Sequence, residues 1–334
     1  PFTVLSDARV DVTVPAHPAG AADITVTAAR GLVGTGPSYR FVDPPAPAAA
    51  LPVSTEPDAV GGTLRPVAGD FDGNGVDDVF MYQPGTGPDH VRLYGGDGRY
   101  TTKAYRVDGT YLPVAGDFTG DGVDDVFWYA PGAAADHLWD FAAGGAFSST
   151  PHAVGGSYRP VAGDFTGDRA DDIMWHNPGR GADHRWDFDP GGGHTSTAHV
   201  VDGDFQVTAG DYTGDGVDDI FWHGPGVAAD RRWEFDRGGR FTSTPHTVNE
   251  TYQPVSGDFT GDRIDDILWY RPGAASDRLW DHAGNGTYTS EPVTAAMDAR
   301  PVRADLTGGG TTDLYWYGPG STPDTTWFNS PVVR

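Results

Sequence analysis

The tripeptide Gly-Asp-Phe or Gly-Asp-Tyr occurs five times at a constant step of 47 residues, as Gly69-Asp70-Phe71, Gly116-Asp117-Phe118, Gly163-Asp164-Phe165, Gly210-Asp211-Tyr212 and Gly257-Asp258-Phe259. A weaker copy, Ala304-Asp305-Leu306, follows at the same step. A fixed period of this size marks a chain made of stacked copies of one supersecondary unit, none of which buries its apolar faces alone. Other series keep the same step: the Pro-Gly pairs from Pro84-Gly85 to Pro319-Gly320, and Asp89, Asp136, Asp183, Asp230, Asp277 and Asp324. All ten tryptophans fall on two positions of the unit, Trp128, Trp175, Trp222, Trp269 and Trp316 on one, Trp139, Trp186, Trp233, Trp280 and Trp327 on the other.

Within one unit, Tyr111 to Phe118, Val123 to Tyr129, His137 to Phe141 and Phe147 to Val154 read as strands, separated by a polar loop at 119–122 and a turn at Pro131-Gly132. The 48 glycines and 27 prolines suit a chain this full of turns. Four short strands in such a unit make a propeller blade. The fold class is therefore all-β, a six-bladed β-propeller over residues 53–334. The sixth unit stops after its third strand. Ser54 to Gly62 (STEPDAVGG) matches the fourth-strand stretch Ser149 to Gly156 (STPHAVGG) but precedes the first unit. It is expected to supply the missing strand and close the ring, removing an exposed edge.

The loop after each first strand places oxygen side chains at positions 1, 3, 5 and 9, as in Asp70-Phe71-Asp72-Gly73-Asn74-Gly75-Val76-Asp77-Asp78. Calcium takes six to eight hard oxygen ligands, and intervening glycines let a backbone curl round such an ion. Asp and Gly also form turns held by side-chain hydrogen bonds without metal, so both readings stand on the spacing alone. The loops resemble the FG-GAP or VCBS repeats of integrin α-chain propellers and of integrin-like lectins. That resemblance implies calcium on Asp70, Asp72, Asn74 and Asp78, with the Val76 carbonyl. It implies the same for Asp117, Thr119, Asp121, Val123 and Asp125; for Asp164, Thr166, Asp168, Ala170 and Asp172; for Asp211, Thr213, Asp215, Val217 and Asp219; and for Asp258, Thr260, Asp262, Ile264 and Asp266. About five Ca²⁺ sites are expected. The sixth loop, with Asp305, Thr307, Gly309 and Asp313, is degenerate.

Tracing an antiparallel blade puts the Pro-Gly turn on the face opposite the metal loop. There the repeat gathers Tyr129, His176, His223 and Tyr270, then Asp136, Asp183, Asp230 and Asp277, then His137, His184, Arg231 and Arg278, with Trp139, Trp186, Trp233 and Trp280 two residues on. Aromatic faces beside groups that hydrogen-bond hydroxyls are what a saccharide pocket needs. The competing reading has the tryptophans filling the space between blades and the aspartates capping the turns.

A formal charge of -25 with Lys103 as the sole lysine disfavours nucleic acid, and no stretch is apolar enough for membrane insertion. Without cysteine there is no disulfide or thiolate chemistry. No G-x-S-x-G, H-E-x-x-H or phosphate loop appears, and the chain is not read as an enzyme. Residues 1–43 stand outside the repeat. Phe2 to Leu5, Val10 to Val14, Asp23 to Ala28 and Tyr39 to Val42 read as strands, and the stretch resembles the later part of an IPT/TIG immunoglobulin-like domain. A sandwich lacking its first strands exposes an edge that another protein subunit could cover. Residues 44–52 (PPAPAAALP) read as a linker. The resemblances together imply an extracellular, calcium-stabilised glycan-binding module, with a protein-binding adhesion or assembly module as the alternative.

Overall fold

The computed structural model describes residues 63–132, 134–226, 228–273, 277–295, 298–320 and 322–329 in full, and within 1–62 the backbone of six short strands. Those six pair as three antiparallel ladders: Phe2–Ser6 with Arg9–Val12, Gly20–Ala22 with Tyr39–Phe41, and Thr25–Thr27 with Val33–Thr35. Thr25–Thr27 lies within the stretch expected as a strand from Asp23 to Ala28, while Gly20–Ala22 and Val33–Thr35 fall outside the stretches expected as strands. The linker and the proposed closing strand at 54–62 lie outside the described residues.

Five four-stranded antiparallel sheets and one of three described strands follow in chain order, each built from consecutive strands. Blade 2 is representative, with Leu112–Gly116, Asp125–Tyr129, Asp136–Ala142 and Ala146–His152 running from the first strand to the fourth. Blade 1 begins at Arg65–Gly69 and the sixth ends at Thr325–Trp327. Burial sets the composition of each strand. The second strand is buried at every residue, as in Asp125–Tyr129, and reads as a continuous apolar run. The fourth strand of blade 2 is almost wholly exposed, and carries the polar run Ser148, Ser149 and Thr150.

The second-strand tryptophans Trp128, Trp175, Trp222, Trp269 and Trp316 fill the space between neighbouring blades, each at most 1% exposed. Trp175, for example, meets Phe127 and Tyr129 of the preceding blade edge-on at centroid distances of 5.4 and 5.0 Å. Enclosing a ring of this size stabilises the fold by about 3 kcal/mol, and here that gain is made between blades.

The blades are also stitched near the axis. Asp124 donates its N–H to the Asp70 carbonyl (2.9 Å), and its carboxylate accepts the Asp70 N–H (2.7 Å). Asp171 does the same to Asp117, Asp218 to Asp164 and Asp265 to Asp211. Between blades 6 and 1, Asp77 clamps Asp305 with bonds of 2.9 and 2.8 Å, so the last blade meets the first and the ring is closed among the described residues. Between blades 5 and 6 the clamping residue is Thr312, and only the backbone half, Thr312 N–H to the Asp258 carbonyl, is formed. The motif glycine is explained by this clamp. A Cβ on Gly116 would stand 2.5 Å from the Asp171 Oδ2, a closeness that something must yield to.

Candidate functional site

Three places concentrate polar chemistry: the loops after the first strands, the axial channel, and the clefts between blades.

In each loop the first aspartate organises the backbone. Asp70 accepts the N–H groups of Gly73 and Asn74 on Oδ1 and of Gly75 on Oδ2, and Asn74 Oδ1 accepts the Val76 N–H. Asp164, Asp211 and Asp258 repeat this pattern. The ninth-position aspartates are fully enclosed. Asp78 accepts the N–H groups of Phe71 and Tyr94, and burial, before any neighbouring charge, pushes it up to about 8. Burial likewise pushes Asp125, Asp219 and Asp266 up to about 8 and Asp172 to about 9. Val76, Val123, Ala170 and Val217 are buried anchors of their loops, while Ile264 is half-buried.

Whether these residues fit calcium is tested by the atoms left over. Asp72 Oδ1 and the hydroxyls of Thr119, Thr166, Thr213 and Thr260 are buried without a hydrogen-bond partner, as are Asp125 Oδ2 and Asp219 Oδ2. All are hard oxygens from loop positions three or nine. In the first loop, oxygens of Asp70, Asp72 and Asp78 lie within 4.8 Å of one another. Buried polar atoms are normally satisfied, and a cation would satisfy these while reversing the upward pull on the carboxylates. The donor sets fit Ca²⁺. The sixth loop differs: Thr307 Oγ1 bonds Asp305 and Asp313 at 3.4 and 3.3 Å, and Gly309 offers no side-chain oxygen.

The axial channel, about 330 Å³, is lined by Asp77, Asp124, Asp171 and Asp265 and by Arg303. Sequence reading passed over Arg303, which occupies the first-strand position held by Ala68, Ala115, Ala162, Ala209 and Ser256 in the other blades. Its accessible surface faces this channel, where Asp265, Asp218 and Asp171 favour its charge. Burial raises Asp77 to about 7, Asp124 to about 6 and Asp171 to about 7, with Arg303 opposing the rise in each. The break in the repeat, Ala to Arg, was the available signal.

The inter-blade clefts bring together part of the set expected to bind saccharide. The cleft between blades 2 and 3, about 200 Å³, is lined by Val154, Gly155, Tyr158, Trp175, His184 and Trp186. The one between blades 4 and 5, about 500 Å³, is lined by the residues two repeats on, including Asn249, Tyr252, Trp269, Arg278 and Trp280. His137, His184 and Arg231 are half-buried and Arg278 is exposed. The third-strand tryptophans keep only an edge free. Trp139 stacks on Phe147, Trp186 on His194, Trp233 on Phe241 and Trp280 on Tyr288, all at 3.9 to 4.0 Å.

The remaining expected saccharide residues are structural, which corrects the sequence reading. Asp136 is buried, and its two oxygens accept the N–H groups of Ala130 (2.7 Å) and Val154 (2.7 Å), tying the Pro-Gly turn to the connector leading to the next blade. Asp183, Asp230 and Asp277 are buried and bonded in the same way. Tyr129 is equally enclosed, with its hydroxyl donating to the Gly156 carbonyl and accepting the Tyr158 N–H. Tyr270 makes the corresponding pair with Ala299. His176 bonds Asp183 through Nδ1 (2.9 Å) and faces the Phe205 N–H through Nε2, which fits a neutral ring protonated on Nδ1. His223 has the same partners, Asp230 and Tyr252.

The fold and clefts define an all-β, six-bladed propeller. No family model and no curated protein matches the chain. Among solved structures, an N-acetylglucosamine-recognising lectin of Agrocybe aegerita superposes over 93% of this chain and 90% of its own, at 18% identity and TM-score 0.52. A triple arginine-to-alanine mutant of AofleA from Arthrobotrys oligospora matches over 83% of this chain and 88% of its own, at 12% identity and TM-score 0.53. The Tc holotoxin pore of Photorhabdus luminescens matches over 92% of this chain at 16% identity and TM-score 0.55, and the chain spans only 16% of that toxin chain. At these identities the likeness concerns the fold.

Proposed function

We propose that this chain is a calcium-stabilised, extracellular carbohydrate-binding propeller of FG-GAP type. The observation that carries the reading is the recurrence, in register, of a shallow inter-blade cleft walled by two tryptophan edges and a tyrosine and entered by one histidine or arginine. A sugar presents an apolar C–H face and a rim of hydroxyls, and such a cleft offers both complements. A propeller lectin among the structural neighbours supports the reading. Several equivalent weak sites on one ring would gain strength against clustered glycans by multivalency. A binding module is favoured over an enzyme because the repeated carboxylates beside the clefts, Asp136, Asp183, Asp230 and Asp277, are buried with both oxygens engaged by backbone N–H groups.

A glycan array tests this. Binding that is lost in His137→Ala and His184→Ala with the melting curve retained supports it, whereas a blank array favours the protein-binding adhesion or assembly module. The calcium part has its own test: a chelator lowers the melting temperature and added Ca²⁺ restores it. An unchanged melting curve refutes it.

A further inference from the structure

The cleft between blades 4 and 5 breaks the plan that its neighbours share. The connectors after blades 1, 2 and 3 use Gly109, Gly156 and Gly203 at φ of 142°, 127° and 151°, whereas Glu250 fills the same place at φ 111°. A side chain held in this region is strained and persists only where its surroundings hold it. Glu250 is held twice: its backbone exchanges both bonds with Gly226 (3.0 and 3.1 Å), and its carboxylate pairs with Arg271. Arg271 stands where blades 1 to 4 have Gln83, Ala130, Asn177 and Gly224. Together they build a wall that the other clefts lack.

The four charges around this cleft, Glu250, Asp277, Arg271 and Arg278, balance in number, but they are not equally open to a ligand. Glu250 is matched by Arg271, and Asp277 is buried, with its oxygens on the N–H groups of Arg271 and Ala295. That leaves Arg278, an exposed guanidinium fixed by Nε to Ser290 Oγ (2.8 Å) and Nη2 to the Ser290 carbonyl (3.2 Å). The equivalent Arg231 is instead half-buried, its guanidinium 5.2 Å from the centroid of the Phe205 ring. A neutral imidazole such as His184 can donate to one hydroxyl and accept from another. Arginine only donates, and its planar fork suits a carboxylate or sulfate.

Resting on the reading of the clefts as saccharide sites, we propose that the cleft between blades 4 and 5 selects an anionic saccharide. Its carboxylate or sulfate ester meets Arg278, and its ring lies along the edges of Tyr252 and Trp280.

The test is calorimetric titration of the whole chain with three probes: chitotetraose, its 6-O-sulfated derivative, and a hyaluronan tetrasaccharide, which carries carboxylates alone. At least one anionic probe binds more tightly than chitotetraose, and that preference shrinks with added salt. Arg278→Gln, an exposed change that leaves the melting curve in place, weakens the preferred anionic probe by about tenfold, as expected for losing a charge-assisted hydrogen bond. The loss for chitotetraose is smaller, so the ratio of the anionic to the neutral affinity falls, whereas Arg231→Gln leaves that ratio in place. Equal losses for all probes, or a larger effect of Arg231→Gln, overturn the assignment. Chitotetraose binding without an anionic preference overturns this inference alone, and silence of all three overturns the saccharide reading with it.

Discussion

Replacing Asp183 separates a structural aspartate from a sugar-binding one. The carboxylate is fully enclosed and accepts from the Asn177 N–H at 2.9 Å, the Val201 N–H at 2.7 Å and His176 Nδ1 at 2.9 Å. In Asp183→Ala all three donors are stranded away from water, at about 1–3 kcal/mol each. Because they share one acceptor the losses do not add fully, and a total of about 4 kcal/mol is expected. That is a large part of the ~5–15 kcal/mol that stabilises an ordinary domain. Asp183→Asn keeps one acceptor oxygen and loses the charge, so it should fall about halfway, near 2 kcal/mol. Urea unfolding followed by tryptophan fluorescence reads both, as midpoint shifts with little change of slope. An alanine variant with an unmoved midpoint and abolished glycan binding would refute the clamp and return Asp183 to the ligand set.

Arg303→Met removes the cation facing the channel carboxylates and should lower stability by about 1–3 kcal/mol, less than for a sealed ion pair because water enters the channel; a melting curve matching the parent contradicts this. His152, His199 and His246 sit between blades with pKa values lowered first by burial. The unfolded chain therefore takes up their protons first, so their contribution is intact above about pH 6.5 and is lost as pH falls below it. Melting temperatures from pH 8 to 5 should decline less steeply once all three are phenylalanine, and an identical slope counts against the argument. Arg169 and Arg263 hold φ of 78° and 70° where other loops use Gly75, Gly122 and Gly216. Glycine at either site should stabilise by up to about 1 kcal/mol, and calorimetry giving a loss instead would show the arginines make compensating contacts.

The architecture was legible because period and strand pattern are local properties. The ten tryptophans in two series announced the blades, and the second strand's apolar run announced its enclosure. The Asp136 series was misassigned because spacing places a side chain near a turn without revealing that two N–H groups, six and eighteen residues away, already hold it. The eighth loop residue, Asp124 and its kin, could be given no role of its own from the sequence because its partner lies 54 residues back, in the preceding blade. Arg303 was hidden for a different reason: only closure of the ring brings aspartates of several repeats to face one residue of the sixth.

The clamp from one blade to the next consists of two hydrogen bonds everywhere except at Thr312, where a hydroxyl-bearing residue leaves one. A circle with a single thinner stitch parts there first when warmed or pulled. The junction after blade 5 should therefore lead hydrogen exchange, with the free flanks of blades 5 and 6 as the surfaces through which two opened molecules could trade partners.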